Sequence, residues 1–185
     1  GKRRLFNADD ITITINDLSV LMKNGLNRIT LGQVGLSTGK NTLYVSDFHL
    51  VPQYNRHDYT RKVGFQTHRM DVIVKKISLE RLNFRDLALA GEFQAGLLTI
   101  DSLVLEHYRD KRIPLKPGFR PPMPQDGLRK LKMYLKIDTV LLSNGKATYL
   151  EQVNEEPGTI FFDKMTATLT GLTNDSLLLH SGLIS

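Results

Sequence analysis

The 185-residue chain contains no cysteine and no tryptophan. A disulfide scaffold, a thiolate metal site and a cysteine nucleophile are therefore excluded, while the compartment stays open, since oxidising compartments also hold cysteine-free proteins. No run of about 18 uncharged apolar residues is present, so no helix of this sequence spans a bilayer, and no signal peptide is visible. Excess charge is small: 25 Lys and Arg stand against 19 Asp and Glu, a formal balance of +6. With 41% apolar and 24% charged residues, the chain has the composition of a folded protein large enough for one sizeable core or two small ones. The ends, Gly1-Lys2-Arg3-Arg4 and Gly182-Leu183-Ile184-Ser185, read as cuts. The expectation is a piece of a longer protein, in which case a missing anchor carries no information.

What is present is a repeated pattern. Seven windows read apolar, any, apolar, two non-apolar residues, apolar, any, apolar: 13–20, 29–36, 43–50, 72–79, 98–105, 135–142 and 160–167. About two would arise by chance at this apolar content. Within each half the period is 2, the mark of a strand with one buried face. Across the polar pair the apolar residues step by three, which flips a straight strand to its other face. Either a bulge or bend at the pair keeps both halves facing one side and curves the sheet, or the strand ends there and restarts in another sheet. Asp47, Asp101, Asp138 and Asp163 recur at the window centres and read as bend residues rather than as catalytic carboxylates.

Turn chemistry links the windows. Ser143-Asn144-Gly145-Lys146 predicts a tight hairpin between strands at 135–143 and 146–152, and Ser37 to Asn41 predicts another between the second and third windows. Asn83, with Asp86 three residues on and Gly91 as a stop, predicts a short helix over 83–90; residues 125–132 after Pro124 form a second candidate. Five of the seven prolines fall between Pro114 and Pro124. Residues 113–124 are thus a Pro-rich crossover packed along the sheet or a linker. The fold expected is mainly β, a curved antiparallel sheet built of hairpins with one or two short helices, over 1–185 as a single unit.

No enzymatic constellation emerges, and no catalytic residue, metal ligand or cofactor is assigned. Gly35-Leu36-Ser37-Thr38-Gly39 has the spacing of a nucleophile elbow, but a strand pattern follows where the elbow needs a helix. Gly91 to Gly96 is spaced like a phosphate loop without its Lys and Ser/Thr. His49, His57, His68, His107 and His180 show no metal-binding spacing and read as solvated loop or strand-face residues. Basic residues interleaved with Tyr54, Tyr59, Phe65, Tyr108, Phe119 and Tyr134 are compatible with single-stranded nucleic acid or lipid phosphates, and equally with a solvated face; nucleic acid is not expected.

Ile137-Asp138-Thr139-Val140-Leu141-Leu142 leading through Asn144-Gly145 to Tyr149, followed by Gly158 to Asn174, resembles the repeat units of AsmA-like proteins of the Gram-negative envelope, and Leu98 to Tyr108 is similar to another copy of the first half. The resemblance implies a large periplasmic protein, membrane-anchored at full length, related to TamB and to bridge-like lipid transfer proteins. Its implied fold is a long curved sheet with an apolar inner face, and its implied role is lipid transport and outer-membrane biogenesis. Phospholipid or another acyl-chain ligand, and other envelope proteins, are the implied partners. Lipid-groove candidates are Val45, Phe48, Leu50, Ile100, Leu103, Leu105, Ile137, Val140 and Leu142; headgroup-contact candidates are Arg109, Lys111 and Arg112. Whether those apolar residues line an open groove or fill a closed core stays open at this level, as does the alternative of a protein-interaction scaffold.

Overall fold

The computed structural model describes residues 10–118 and 131–175. Seven strands form one sheet in chain order: β1 (Thr12–Leu21), β2 (Asn27–Ser37), β3 (Thr42–Pro52), β4 (His68–Glu80), β5 (Phe93–Asp110), β6 (Leu135–Gln152) and β7 (Pro157–Thr173). Two short helices, α1 (Arg56–Val63) and α2 (Phe84–Ala90), interrupt the series. The fold is mainly β, as the period-2 alternation predicts. Every neighbouring pair is antiparallel except β5 and β6, which run parallel. Parallel neighbours require the chain to return to the far end of the sheet. The segment between Asp110 and Leu135, which holds five of the seven prolines, joins the two ends; residues 119–124 of the Pro-rich stretch and most of the helix candidate at 125–132 lie outside the described residues.

The Ser37–Asn41 hairpin is present. Asp10 holds its turn, accepting from the backbone N–H of Gly39 at 2.6 Å and from the Ser37 and Thr38 hydroxyls. The Gly39 bond chiefly lowers the Asp10 carboxyl below its ordinary value. No hairpin forms at Asn144-Gly145: β6 runs unbroken from Leu135 to Gln152. A two-residue turn there needs positive φ at both central residues. Only Asn144 has it, at 53°, so the pair makes a bulge opposite Met165 instead of a reversal.

Asn144 belongs to a line that crosses the whole sheet. Left-handed residues stand at Asp17 (φ 55°), Asp47 (50°), Ser102 (57°), Asn144 (53°) and Lys164 (54°), with Gly32 and Lys75 opposite them on β2 and β4. A second line runs through Asn41 (52°), Arg81 (54°), Gly96, Asp138 and Gly171 (68°). At each line the strand turns so that apolar residues three apart face one side. Leu79 and Leu82 straddle Arg81, Ala95 and Leu98 straddle Gly96, and Ile137 and Val140 straddle Asp138, yet all six belong to one cluster. Likewise a Cβ on Gly145 would meet Leu142 Cδ2 at 3.4 Å across Asn144. The windows are therefore single bent strands, and the sheet is creased twice.

Two small cores result. At the lower end, Leu79, Leu82, Ala95 and Ile137 pack with Phe84 of α2 on the apolar face. Asn83 caps α2 by accepting from Asp86 N, and Gly91 closes it at φ 69°. At the upper end, where β5 and β6 finish, the opposite face is covered by α1: Tyr59 and Thr60 are buried, and the Arg56 guanidinium lies 5.7 Å over the Tyr108 ring. Asn55 caps α1 and Gly64 ends it at φ 77°.

Candidate functional site

Paired residues in adjacent strands project to the same side of a sheet. Applied to the registers, this gives one continuous apolar face. One row runs Ile13, Leu36, Leu43, Leu79, Leu98, Val140 and Leu169; the next runs Ile15, Val34, Val45, Ile77, Ile100, Leu142 and Ala167. Beyond the first crease follow Val20, Ile29, Leu50, Val72, Leu105, Ala147 and Phe162, then Met70, His107, Tyr149 and Ile160. The first three rows contain no charged side chain in any strand. Six strand spacings of about 4.8 Å make the face roughly 29 Å across.

The nine groove candidates all fall on this face. Val45, Ile100 and Leu142 share one row; Leu50 and Leu105 share another; Phe48 and Leu103 both flank Val74; Val140 and Ile137 lie toward the lower core. Of the nine, only Ile137, at 4% exposure, is buried. Toward the sheet edges exposure rises to 46% at Ile15, 53% at Val20, 51% at Leu169 and 56% at Phe162. Among the described residues no second layer lies over the middle of this face, where seven of the nine sit; Ile137 and Val140 belong instead to the lower core. Sequence reasoning missed Leu43, Val72, Ile77 and Leu98, which sit between the candidates in the same rows; each occupies an apolar position of a window, so the signal was there.

Charged residues follow these rows at the upper rim. The row beyond His107 pairs His68 with Arg109 and Arg109 with Glu151. His68 Nδ1 and His107 Nε2 are 2.7 Å apart, their rings stacked with centroids 4.9 Å apart, and His107 lies against Tyr149 at 5.0 Å. Arg109 Nη2 donates to Gln66 Oε1 at 2.8 Å, and its buried Nε has no partner. Lys111 Nζ contacts Glu151 Oε1 at 2.8 Å, and the Tyr149 hydroxyl donates to the other Glu151 oxygen. Burial, then the Arg109 charge, pushes His68 below its ordinary value; the same burial, then His68 and Arg109, does so for His107. The Lys111 hydrogen bond chiefly lowers the Glu151 carboxyl. An open cavity of ≈ 440 Å³ adjoins this rim, lined by Tyr149, Val153 and Ile160 with the carboxylates of Glu151 and Glu156.

The three headgroup candidates thus separate. Arg109 and Lys111 stand on the rim of the apolar face. Arg112 instead binds Asp110 through two nitrogens, at 2.7 and 3.0 Å, beside Tyr108 and Gln152 on the other side. Other basic residues are also engaged within the chain: Arg56 and Arg69 on Glu106, Lys75 on Asp47, Lys146 on Asp163. The elbow-like Ser37 ends β2 in a turn with no helix after it, and Gly91 ends α2 before a strand. Among the described residues no three His, Asp or Glu side chains converge as a metal site, and no helix is long and apolar enough to cross a membrane. Comparison with protein-family models, with curated proteins and with solved structures finds no match.

Proposed function

We propose that this chain handles lipid: the creased apolar face receives the acyl chain of a phospholipid or related amphiphile, as part of an AsmA-like protein of the bacterial envelope, periplasmic and membrane-anchored at full length. The single observation that carries the reading is a face of three uncharged apolar rows, continuous over seven strands and, among the described residues, covered only at its lower end, by α2 and Leu82. An apolar surface of that extent is unusual on a protein whose only partner is water. Each methylene transferred onto it from water contributes about 0.8 kcal/mol, so a chain of ordinary length supplies binding energy with no directional contact. No catalytic step is needed for such a role, and the proposed action is non-enzymatic.

Native mass spectrometry of the purified protein tests this. Adducts with phospholipid masses are expected, and they should vanish when Ile100→Glu and Leu103→Glu place two carboxylates in the middle of the face, with the β circular-dichroism signal retained. A wild-type protein that remains free of lipid after incubation with phospholipid vesicles overturns the reading. A second reading, an envelope scaffold, draws on the outer edges of β1 and β7, which pair with no described strand. Unpaired edges accept added strands from partners. Capture of an envelope protein that survives both Glu substitutions but is lost on Thr166→Pro in β7 would favour it.

A further inference from the structure

We propose, resting on the lipid-handling reading, that the upper rim of the apolar face selects amphiphiles with an acidic head, a carboxylate or phosphate, through Arg109, and that the stacked pair His68–His107 makes this selection proton-linked.

The geometry sets two cations, Arg109 and Lys111, against one carboxylate. Glu151, the register partner of Arg109, hydrogen-bonds to Lys111 and to the Tyr149 hydroxyl and reaches Arg109 only through space. What remains for Arg109 is the neutral Gln66 oxygen and a contact with the Tyr149 hydroxyl, while Nε has nothing. A guanidinium in that situation favours an incoming anion over any neutral group. Its position fits an amphiphile: Arg109 is four residues along β5 from Leu105, past His107 on the same face, so a head at the rim leaves its chain lying on the uncharged rows.

The histidines supply the proton linkage. Nδ1 of His68 and Nε2 of His107, at 2.7 Å, share one proton between two neutral rings; one added proton makes a single imidazolium that keeps this bond beside Arg109, and a further one would set two cations face to face. The groups facing the pair are Arg109 from β5, Lys111 just after it, and Tyr149 and Glu151 from β6; from β4, Met70 adds no charge. Without an anion, burial and the Arg109 charge disfavour protonation of the pair. An acid head against Arg109 cancels the charge that opposes protonation, so binding takes up a proton and is tighter at lower pH.

The test titrates hexadecyl phosphate, palmitate and the uncharged 1-monopalmitoylglycerol, each below its aggregation concentration, into the intact chain by calorimetry between pH 5.5 and 8. At pH 6 the two acids are expected to bind at least tenfold more tightly than the monoglyceride, with the margin shrinking toward pH 8. Arg109→Gln should abolish the margin and leave the monoglyceride affinity unchanged. His68→Gln with His107→Gln should flatten the pH dependence. The ratio of hexadecyl phosphate to palmitate tells a phospholipid head from a free fatty acid as the source of the anion. Equal binding of all three amphiphiles by the wild type overturns this inference and leaves the lipid reading standing. Failure of every amphiphile to bind overturns the lipid reading itself.

Discussion

Leu82 lies one residue beyond the left-handed Arg81 and is only 1% exposed, held in the lower core beside Leu79, Ala95 and Ile137. Leu82→Ala should cost about 2–5 kcal/mol, read as a lower urea midpoint with an unchanged slope. At the other end, Asp110 is buried with Tyr108 and Gln152. Hydrogen bonds from Arg112, side chain first, hold its carboxyl below the ordinary carboxylate value, against the opposing effect of desolvation. A carboxyl whose pKa is depressed by folding contributes stability that is full above the unfolded value and is lost as pH falls through the folded one. Asp110→Asn should therefore lower the thermal midpoint at neutral pH and flatten its fall on acidification. Such roles are partly legible in sequence. Of the four central aspartates, Asp47 is itself left-handed and Asp101 and Asp163 immediately precede left-handed Ser102 and Lys164, while Asp138 lies on the second crease without a left-handed backbone. The pairing of His68 with His107 was not legible, because the two strands that carry them meet only through a register no local pattern specifies.

Bent strands are the elements that make this sheet. A non-glycine residue in the left-handed region costs roughly 1–2 kcal/mol, so the first crease stores strain at five positions. Ser102→Gly should relieve it and raise stability by up to about 1 kcal/mol, whereas Ser102→Val, β-branched, should lower it by about 1–2 kcal/mol; chemical denaturation of the two variants checks the sign of each. The step of three in the windows encoded these bends, since apolar residues could stay on one side only if the chain turned between them. The Asn144-Gly145 hairpin was misread for the same reason in reverse. Asn-Gly tolerates positive φ in a bulge as readily as in a turn, and cross-strand partners decide which: Ser143 and Asn144 both donate to Asp101 of β5, at 2.7 and 2.8 Å, which keeps β6 paired with β5 through the bend. The α1 helix was missed although its signals were present, with Asn55 and Asp58 forming the cap and Gly64 the stop. Its polar sequence lacks an apolar stripe, because it touches the sheet through Arg56 and Tyr59 rather than through aliphatic side chains.

For the whole molecule, the β-rich class and the one-sided apolar pattern could be read from the windows, because period-2 alternation is local. Strand order, and how little of the apolar face the described residues cover, could not, because both depend on where the chain returns after Asp110. That return has a kinetic consequence. Strands β1 to β5 are sequential antiparallel neighbours, and β6 with β7 forms another such pair, so each set assembles through short loops. The parallel β5–β6 ladder joins them only after a long excursion of chain is closed, which is the slow class of contact. Hydrogen exchange under native conditions should accordingly resolve two cooperative units, with the amides of β6 and β7 opening together and separately from those of β3 and β4. The seam between β5 and β6 is thus where assembly finishes and where unravelling begins.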